Sequence, residues 1–313
     1  MAAETSMRAV RLHEYGPPSV LVVDVVDRPA PKADEVLIRV HDAGVNPIDW
    51  KLRAGYLKQY MPVTLPYTPG LDVAGTVEAL GEAVTAFAVG DRVFGRGVST
   101  YAEFAVAPTA TIARIPEGVS FEQAAPLHVG GETAWVALFD MANLEAGQRL
   151  LVQGGAGGVG SIAVQLGHWK GAYVIATAST ANVAFVKSLG ADEVIDYTSV
   201  NVEDAVRDVD VVLDTVGGEV TAHSWGALKP GGILVVVAGM PDTETAAAKG
   251  VRTTAVTHPT DTHPVLEELA KLVASGDLRP EIGQVFPLDG AAQAHLASET
   301  GHGRGRILLR VAN

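Results

Sequence analysis

The segment Leu150-Leu151-Val152-Gln153-Gly154-Gly155-Ala156-Gly157-Gly158-Val159-Gly160 constrains the fold more than any other part of the chain. An apolar strand runs into a glycine-rich turn, and the turn opens on residues 160–170, whose pattern reads as a helix. Gly155, Gly157 and Gly160 satisfy G-x-G-x-x-G in the context where that spacing has a mechanism. The first glycine permits the tight turn, the second lets backbone approach a pyrophosphate, and the third lets helix pack closely on strand. Phosphates then sit at the helix N-terminus, where N–H groups lack partners. A glycine-rich turn alone is only a turn. The flanking strands and helices favour dinucleotide binding, with Ala156, Gly158 and Val159 completing the cofactor-binding turn.

The surroundings agree. After Arg149, short apolar strands at 150–152, 173–177, 193–195, 209–213 and 233–238 alternate with helical patterns such as 182–189. Such alternation predicts a doubly wound parallel sheet with helices on both faces. Val216-Gly217 and Ala238-Gly239 follow two of these strands, where a cofactor lies in such sheets. Upstream, strand-like runs at 7–11, 20–26, 35–40, 71–80, 92–94 and 101–106 are divided by Gly and Pro clusters. That rhythm predicts a compact β-rich unit. Residues 121–139 read as helical, and the C-terminal part holds helices at 265–275 and 290–299 and a strand at 306–311. The fold class is therefore α/β, and 313 residues suffice for two domains.

Composition removes several kinds of chemistry. With no cysteine, disulfides, thiolate-ligated zinc, iron–sulfur clusters and cysteine nucleophiles are excluded. A formal net charge of -13 argues against nucleic acid and anionic membrane surfaces as partners. The longest apolar runs are of strand length, far below the ~20 residues of a membrane helix. The opening MAAETS has no apolar core, so no secretory leader is expected and the expected location is the cytoplasm. No tyrosine has a lysine four residues on, as a short-chain dehydrogenase requires, and no Gly-Lys occurs for a Walker A loop.

The end of the second strand of the parallel sheet bears on which dinucleotide is bound. An acid there would hold the ribose 2′-hydroxyl of NAD. The chain instead reads Ala178-Ser179-Thr180-Ala181-Asn182, with no acid before Asp192. Ser179, Thr180 and Asn182 can donate to a 2′-phosphate, although no arginine sits in that stretch. NADPH is the expected cofactor.

Several segments resemble one family. They are Ala43-Gly44-Val45-Asn46-Pro47-Ile48-Asp49-Trp50-Lys51, Leu65-Pro66-Tyr67-Thr68-Pro69-Gly70-Leu71-Asp72-Val73-Ala74-Gly75 and Val89-Gly90-Asp91-Arg92-Val93-Phe94. Tyr101-Ala102-Glu103-Phe104, the glycine turn and the ending Gly303-Arg304-Gly305-Arg306-Ile307-Leu308 complete the pattern. Together they closely resemble the medium-chain dehydrogenase/reductase superfamily, in its zinc-free quinone oxidoreductase branch that includes zeta-crystallin and plant enone oxidoreductases. The resemblance implies a GroES-like domain at 1–124, completed by 264–313, around a Rossmann domain at 125–263, with the active site between them. It also implies a homodimer and hydride transfer, without metal, from NADPH to a quinone or an α,β-unsaturated carbonyl.

Within that family picture, Asn46 is the first candidate donor to the developing oxyanion, with Lys51, Asp49 and Tyr56 beside it. Asn46 also reads as a turn residue before Pro47, Asp49 as orienting Lys51 or capping a helix, Lys51 as a contact to the cofactor ribose or a solvated surface lysine, and Trp50 as packing. Thr133 matches a position facing the nicotinamide, and Tyr197 stands near the 2′-phosphate end. His258, Asp261 and His263 read as a loop rather than a metal site, and Asp214 as structural. Two other readings remain: an enoyl-thioester reductase of the same fold, and an NADPH-binding structural or regulatory protein with vestigial activity.

Overall fold

The computed structural model describes residues 5–312. β1 (Ser6–Leu12) and β2 (Leu21–Asp27) form an antiparallel pair. β3 (Glu35–Val45), β4 (Asp72–Leu80), β5 (Arg92–Arg96), β6 (Phe104–Pro108) and β7 (Ile112–Arg114) follow, with β3 pairing both β4 and β6. Then come β8 (Arg149–Gln153), β9 (Tyr173–Ala178), β10 (Glu193–Asp196), β11 (Val209–Asp214), β12 (Leu228–Val236) and β13 (Arg252–Ala255). Last are β14 (Ile282–Pro287) and β15 (Arg306–Arg310), and β15 pairs antiparallel with β3. The C-terminal segment thus returns to the first sheet, whose order is β14-β15-β3-β4-β5-β7.

β8 to β13 make a wholly parallel sheet in the order β10-β9-β8-β11-β12-β13. The direction of winding reverses between β8 and β11, which opens a crevice beyond the strands' C-terminal ends. Both faces are buried, as the continuous apolar runs require. Leu150, Val152, Val174, Ala176, Leu213 and Val235 point into one core, and Leu151, Ile175, Val212, Leu234 and Val236 into the opposite one. The first of these cores continues through Leu266 and Leu269, on the helix His263–Ser275, to Phe94 and Leu308 of the other sheet. The two sheets are therefore joined by continuous packing.

The helical run expected at 121–139 is present but irregular. Tight turns at Ala125–Leu127, around Pro126, are followed by wide π turns at His128–Glu132 and Val136–Met141. Pro126 lacks an N–H for a regular helix, and π turns recur at functional sites. A Cβ on Gly130 would sit 3.2 Å from the Gly158 carbonyl oxygen, so this run packs directly beside the glycine-rich turn.

Candidate active site

The glycine-rich turn leaves β8 and enters the helix Gly160–Lys170. Gly154 N–H donates to Thr177 Oγ1 at 2.9 Å and Gly155 N–H to the Thr177 carbonyl at 2.8 Å, tying the turn to β9. A Cβ on Gly160 would lie 2.1 Å from the Gly154 carbonyl oxygen, so only glycine permits this closeness of helix and strand. Two polar atoms beside the turn, Ser161 Oγ and Arg306 Nε, are buried without a partner. Orphaned donors at a helix N-terminus and an open glycine backbone suit an anionic diphosphate. The residues present fit the dinucleotide that the sequence implies.

Arg306 links this turn to the acceptor side. Its side chain lies against Gly158, where a Cβ would meet Arg306 Cδ at 2.6 Å. Its Nη2 donates to Asp72 Oδ2 at 2.6 Å and to Asn46 Oδ1. Asn46 Nδ2 donates to the same Asp72 oxygen at 3.1 Å, and Val129 N–H reaches Asp72 Oδ1 at 2.9 Å. Asn46 and Asp72 are fully buried and Arg306 is 4% exposed. Asn46 was expected to offer its amide to an acceptor; the structure encloses that amide between Asp72 and Arg306 instead.

Asp49 takes the capping geometry. Asn46 precedes the helix Pro47–Arg53, and its N–H donates to Asp49 Oδ2 at 2.8 Å. The Tyr101 hydroxyl donates to the same oxygen at 3.0 Å, and His295 Nε2 lies 3.3 Å from that hydroxyl. Burial pushes the Asp49 carboxyl up to about 7 despite these donors. Burial, aided by the Arg53 charge, drives the His295 imidazole down to about 3. A raised carboxyl binds a proton that the unfolded chain has lost. Its stabilising contribution is therefore full below pH 3.8 and lost as pH rises through about 7. His295 acts oppositely: its depressed pKa makes stability rise with pH from about 3 to 6.5. Asp49→Asn isolates the first effect, because one amide oxygen can accept from both donors. Urea melts of both proteins should show the variant gaining about 2–3 kcal/mol relative to the wild type between pH 5 and 8. A difference that does not change with pH would contradict this assignment.

Lys51 is half-buried, with Nζ 5.6 Å from the Trp50 ring centroid, and Tyr56 is 71% exposed and edge-on to Trp50 at 6.0 Å. Lys51 and Tyr56 thus pack around Trp50. Thr133 is buried directly after Glu132. Val216 and Gly217 N–H groups donate to Asp214 Oδ1 at 2.9 and 3.0 Å, giving Asp214 the structural place expected of it. Ala238 and Gly239 lie just past β12. At the other end of the sheet, Asn182 Nδ2 donates to Ser179 Oγ at 3.3 Å, Thr180 Oγ1 to Asp196 Oδ2 at 2.6 Å, and Tyr197 is exposed.

Three features escaped sequence reading. Arg304 Nε donates to Asn182 Oδ1 and its Nη2 to the Ala181 carbonyl, each at 2.7 Å, while Gly305 N–H reaches the Ala156 carbonyl at 2.9 Å. The arginine missing from 178–182 thus arrives from the C-terminal segment. Asp196 arrives there too, paired in register with Ala178. Finally, Glu132 holds His128 Nδ1 at 2.6 Å and His258 Nδ1 at 2.9 Å. His258 and His263 diverge, the latter's Nδ1 lying 2.6 Å from the Ile112 carbonyl oxygen. Among the described residues no group of three or more His, Cys, Asp or Glu could hold a metal ion. No helix among them is long and apolar enough to cross a membrane.

A doubly wound parallel sheet with a glycine-rich turn, packed against an antiparallel β lobe, is the architecture of a two-lobed, nicotinamide-dependent oxidoreductase. Comparison with known proteins specifies the class. Residues 32–117 match the model of the alcohol dehydrogenase GroES-like domain, and 189–309 that of a zinc-binding dehydrogenase. The chain is 37% identical to the quinone oxidoreductase of Sus scrofa, across 96% of this chain and 95% of that protein. It is 35% identical to the chloroplastic NADPH-dependent alkenal/one oxidoreductase of Arabidopsis thaliana, across 97% of this chain and 79% of the other. The solved quinone oxidoreductase of Coxiella burnetii superposes with a TM-score of 0.92 at 37% identity, covering 98% of this chain and all of that one. The chain belongs to the medium-chain dehydrogenase/reductase superfamily, in its quinone oxidoreductase branch.

Proposed function

We propose that the protein reduces a quinone or an α,β-unsaturated carbonyl with NADPH, without zinc. The observation that carries this reading is Arg306, which joins a dinucleotide turn to the Asn46 segment through one buried cluster. A bound reduced nicotinamide supplies the hydride. The protein orients the acceptor and stabilises charge as it reaches the acceptor oxygen. In this reading Asn46 and Asp49 set the position of the helix Pro47–Arg53, while Lys51 and Tyr56 offer the exposed donors. A conjugated acceptor spreads charge into an enolate or quinolate, so it needs no Lewis acid.

The turn 155–160, with Thr133, Val216, Gly217, Ala238 and Gly239, lines the cofactor path in this proposal, and Ser179, Thr180, Asn182 and Tyr197 surround its ribose end. Residues 1–124 with 264–313 form the acceptor-side domain, 125–263 the cofactor domain, and the protein acts as a cytoplasmic homodimer. Arg304 favours NADPH, since it brings a guanidinium to Asn182 and Ala181 while the neighbouring Gly305 is bonded to Ala156 of the glycine turn. Asp196 is the residue that would favour NADH, but its carboxylate is occupied by the Thr180 and Thr198 hydroxyls. Calorimetric titration should find NADPH bound at least about tenfold more tightly than NADH, a difference of roughly 1.4 kcal/mol. Arg304→Gln should remove about tenfold from NADPH and leave NADH unchanged, since the contact is charge-assisted but exposed. Tighter NADH binding in the wild type would contradict the preference. NADPH oxidation by exhaustively chelated protein, measured with quinones, enones, enoyl thioesters and simple aldehydes, tests the reaction. Turnover with the first two supports the proposal; turnover with aldehydes alone, or dependence on added zinc, overturns it.

A further inference from the structure

Glu132 is fully buried on the irregular helical run, and both of its carboxylate oxygens are engaged by imidazoles. Burial alone would raise its carboxyl, but His128 and His258 outweigh burial and hold it down to about 2. Glu132 is therefore a buried anion held by two imidazoles, one buried with it and one at the edge. The side chain of His128 is 6% exposed and that of His258 41%.

The edge histidine sits on a segment that joins the two lobes. His258 follows β13, the last strand of the parallel sheet, on the half that takes the nicotinamide when the phosphates sit on the turn after β8. Val256 N–H donates to the Val236 carbonyl at 3.1 Å and Thr262 N–H to the Ala110 carbonyl at 3.0 Å. The loop carrying His258 is thereby stretched from one lobe to the other. Glu132 itself precedes Thr133, two residues from the Gly130 approach to the glycine turn.

Holding Nδ1–H on a carboxylate fixes the tautomer, so the exchangeable proton belongs to Nε2 at the exposed edge. A base oriented by a buried carboxylate is the recurring arrangement of general acid–base catalysis. We propose that His258, oriented by Glu132, protonates the acceptor oxygen once hydride has been delivered. This rests on the reduction of a conjugated acceptor argued above. As hydride adds to the β-carbon, the conjugated π electrons shift and leave an electron pair on oxygen. That oxygen forms an O–H bond as the Nε2–H bond of the imidazolium breaks, and the neutral imidazole is reprotonated from water. The balance is one hydride and one proton per acceptor, and no further reductant is needed.

The test compares wild type, His258→Gln and Glu132→Gln using one enone and one quinone. His258→Gln should lower kcat about 100-fold with the enone, in the range of a lost general acid. Its NADPH affinity by titration should stay at the wild-type value, and its melting temperature should fall by only a few degrees, because Glu132 keeps its buried His128 partner. Carbethoxylation of His258 by diethyl pyrocarbonate, resolved by mass spectrometry, should be slowed at least fivefold by NADP⁺ with a non-reducible enone analogue. Glu132→Gln, if it folds, should show the same fall in kcat; if it does not, the His258 measurements decide alone. An unchanged kcat in His258→Gln, or modification unaffected by the ligands, overturns the proposal. A wild type inactive with both acceptors would instead overturn the functional reading on which it rests.

Discussion

Replacing Arg306 with methionine is expected to destabilise the protein by about 3–5 kcal/mol, the cost of leaving a buried carboxylate without its counter-charge. Asp72 is fully buried and keeps only the Val129 N–H and the Asn46 amide once the guanidinium is gone. The pair was not simply favourable to begin with, because desolvating two charges offsets most of their attraction. The loss in the single variant is therefore larger than the net value of the pair. Asp72→Asn in the Arg306→Met background should recover a large part of the loss, since no bare charge then remains. Urea denaturation with an unchanged m-value is the measurement. A single-variant loss below about 1 kcal/mol would mean that water reaches Asp72 and the cluster is not closed.

Two glycines of one turn should respond differently to the same methyl group. Alanine at Gly160 would press its Cβ to 2.1 Å from the Gly154 carbonyl oxygen, a backbone atom that cannot swing away. The turn must open, at a cost of about 1–3 kcal/mol as for other overpacked sites, and dinucleotide affinity should fall at least about 100-fold. At Gly157 the added Cβ meets only the Gly154 carbonyl oxygen at 3.4 Å, an ordinary contact. Gly157→Ala should therefore fold with nearly wild-type stability and still lose cofactor affinity, because its Cβ occupies the space of the approaching pyrophosphate. Melting curves and fluorescence titration separate the two effects. Equal stability losses at the two positions would show that the turn is scaffold only.

What the sequence made legible was local. The glycine turn, the helix after it and the alternating apolar strands fix backbone geometry within a few residues, and the structure has them where the pattern places them. β13 escaped because Arg252-Thr253-Thr254-Ala255 is a polar edge strand, partnered only by β12. β14 escaped because Gly283 and exposed Gln284 and Val285 break its alternation. The candidate site was legible as a set of segments but not as a network. Arg306 meets Asn46 across 260 positions, and Glu132 meets His258 across 126. Read in sequence, His258 has His263 and Asp261 for company; in the fold its partner is Glu132. Asn46 reads in sequence as a donor to the acceptor, and no local pattern shows that its amide is engaged by Asp72 and Arg306.

The central claim is that hydride passes to the conjugated carbon of an acceptor held between the two lobes. Mass spectrometry and NMR of the product formed from an enone and NADPH deuterated at the transferred C4 position test it directly. The account predicts a saturated ketone carrying one deuterium at the β-carbon, with the carbonyl intact and the α-hydrogen drawn from solvent. Deuterium on the carbonyl carbon of an allylic alcohol, or no transfer to enones and quinones at all, would contradict it.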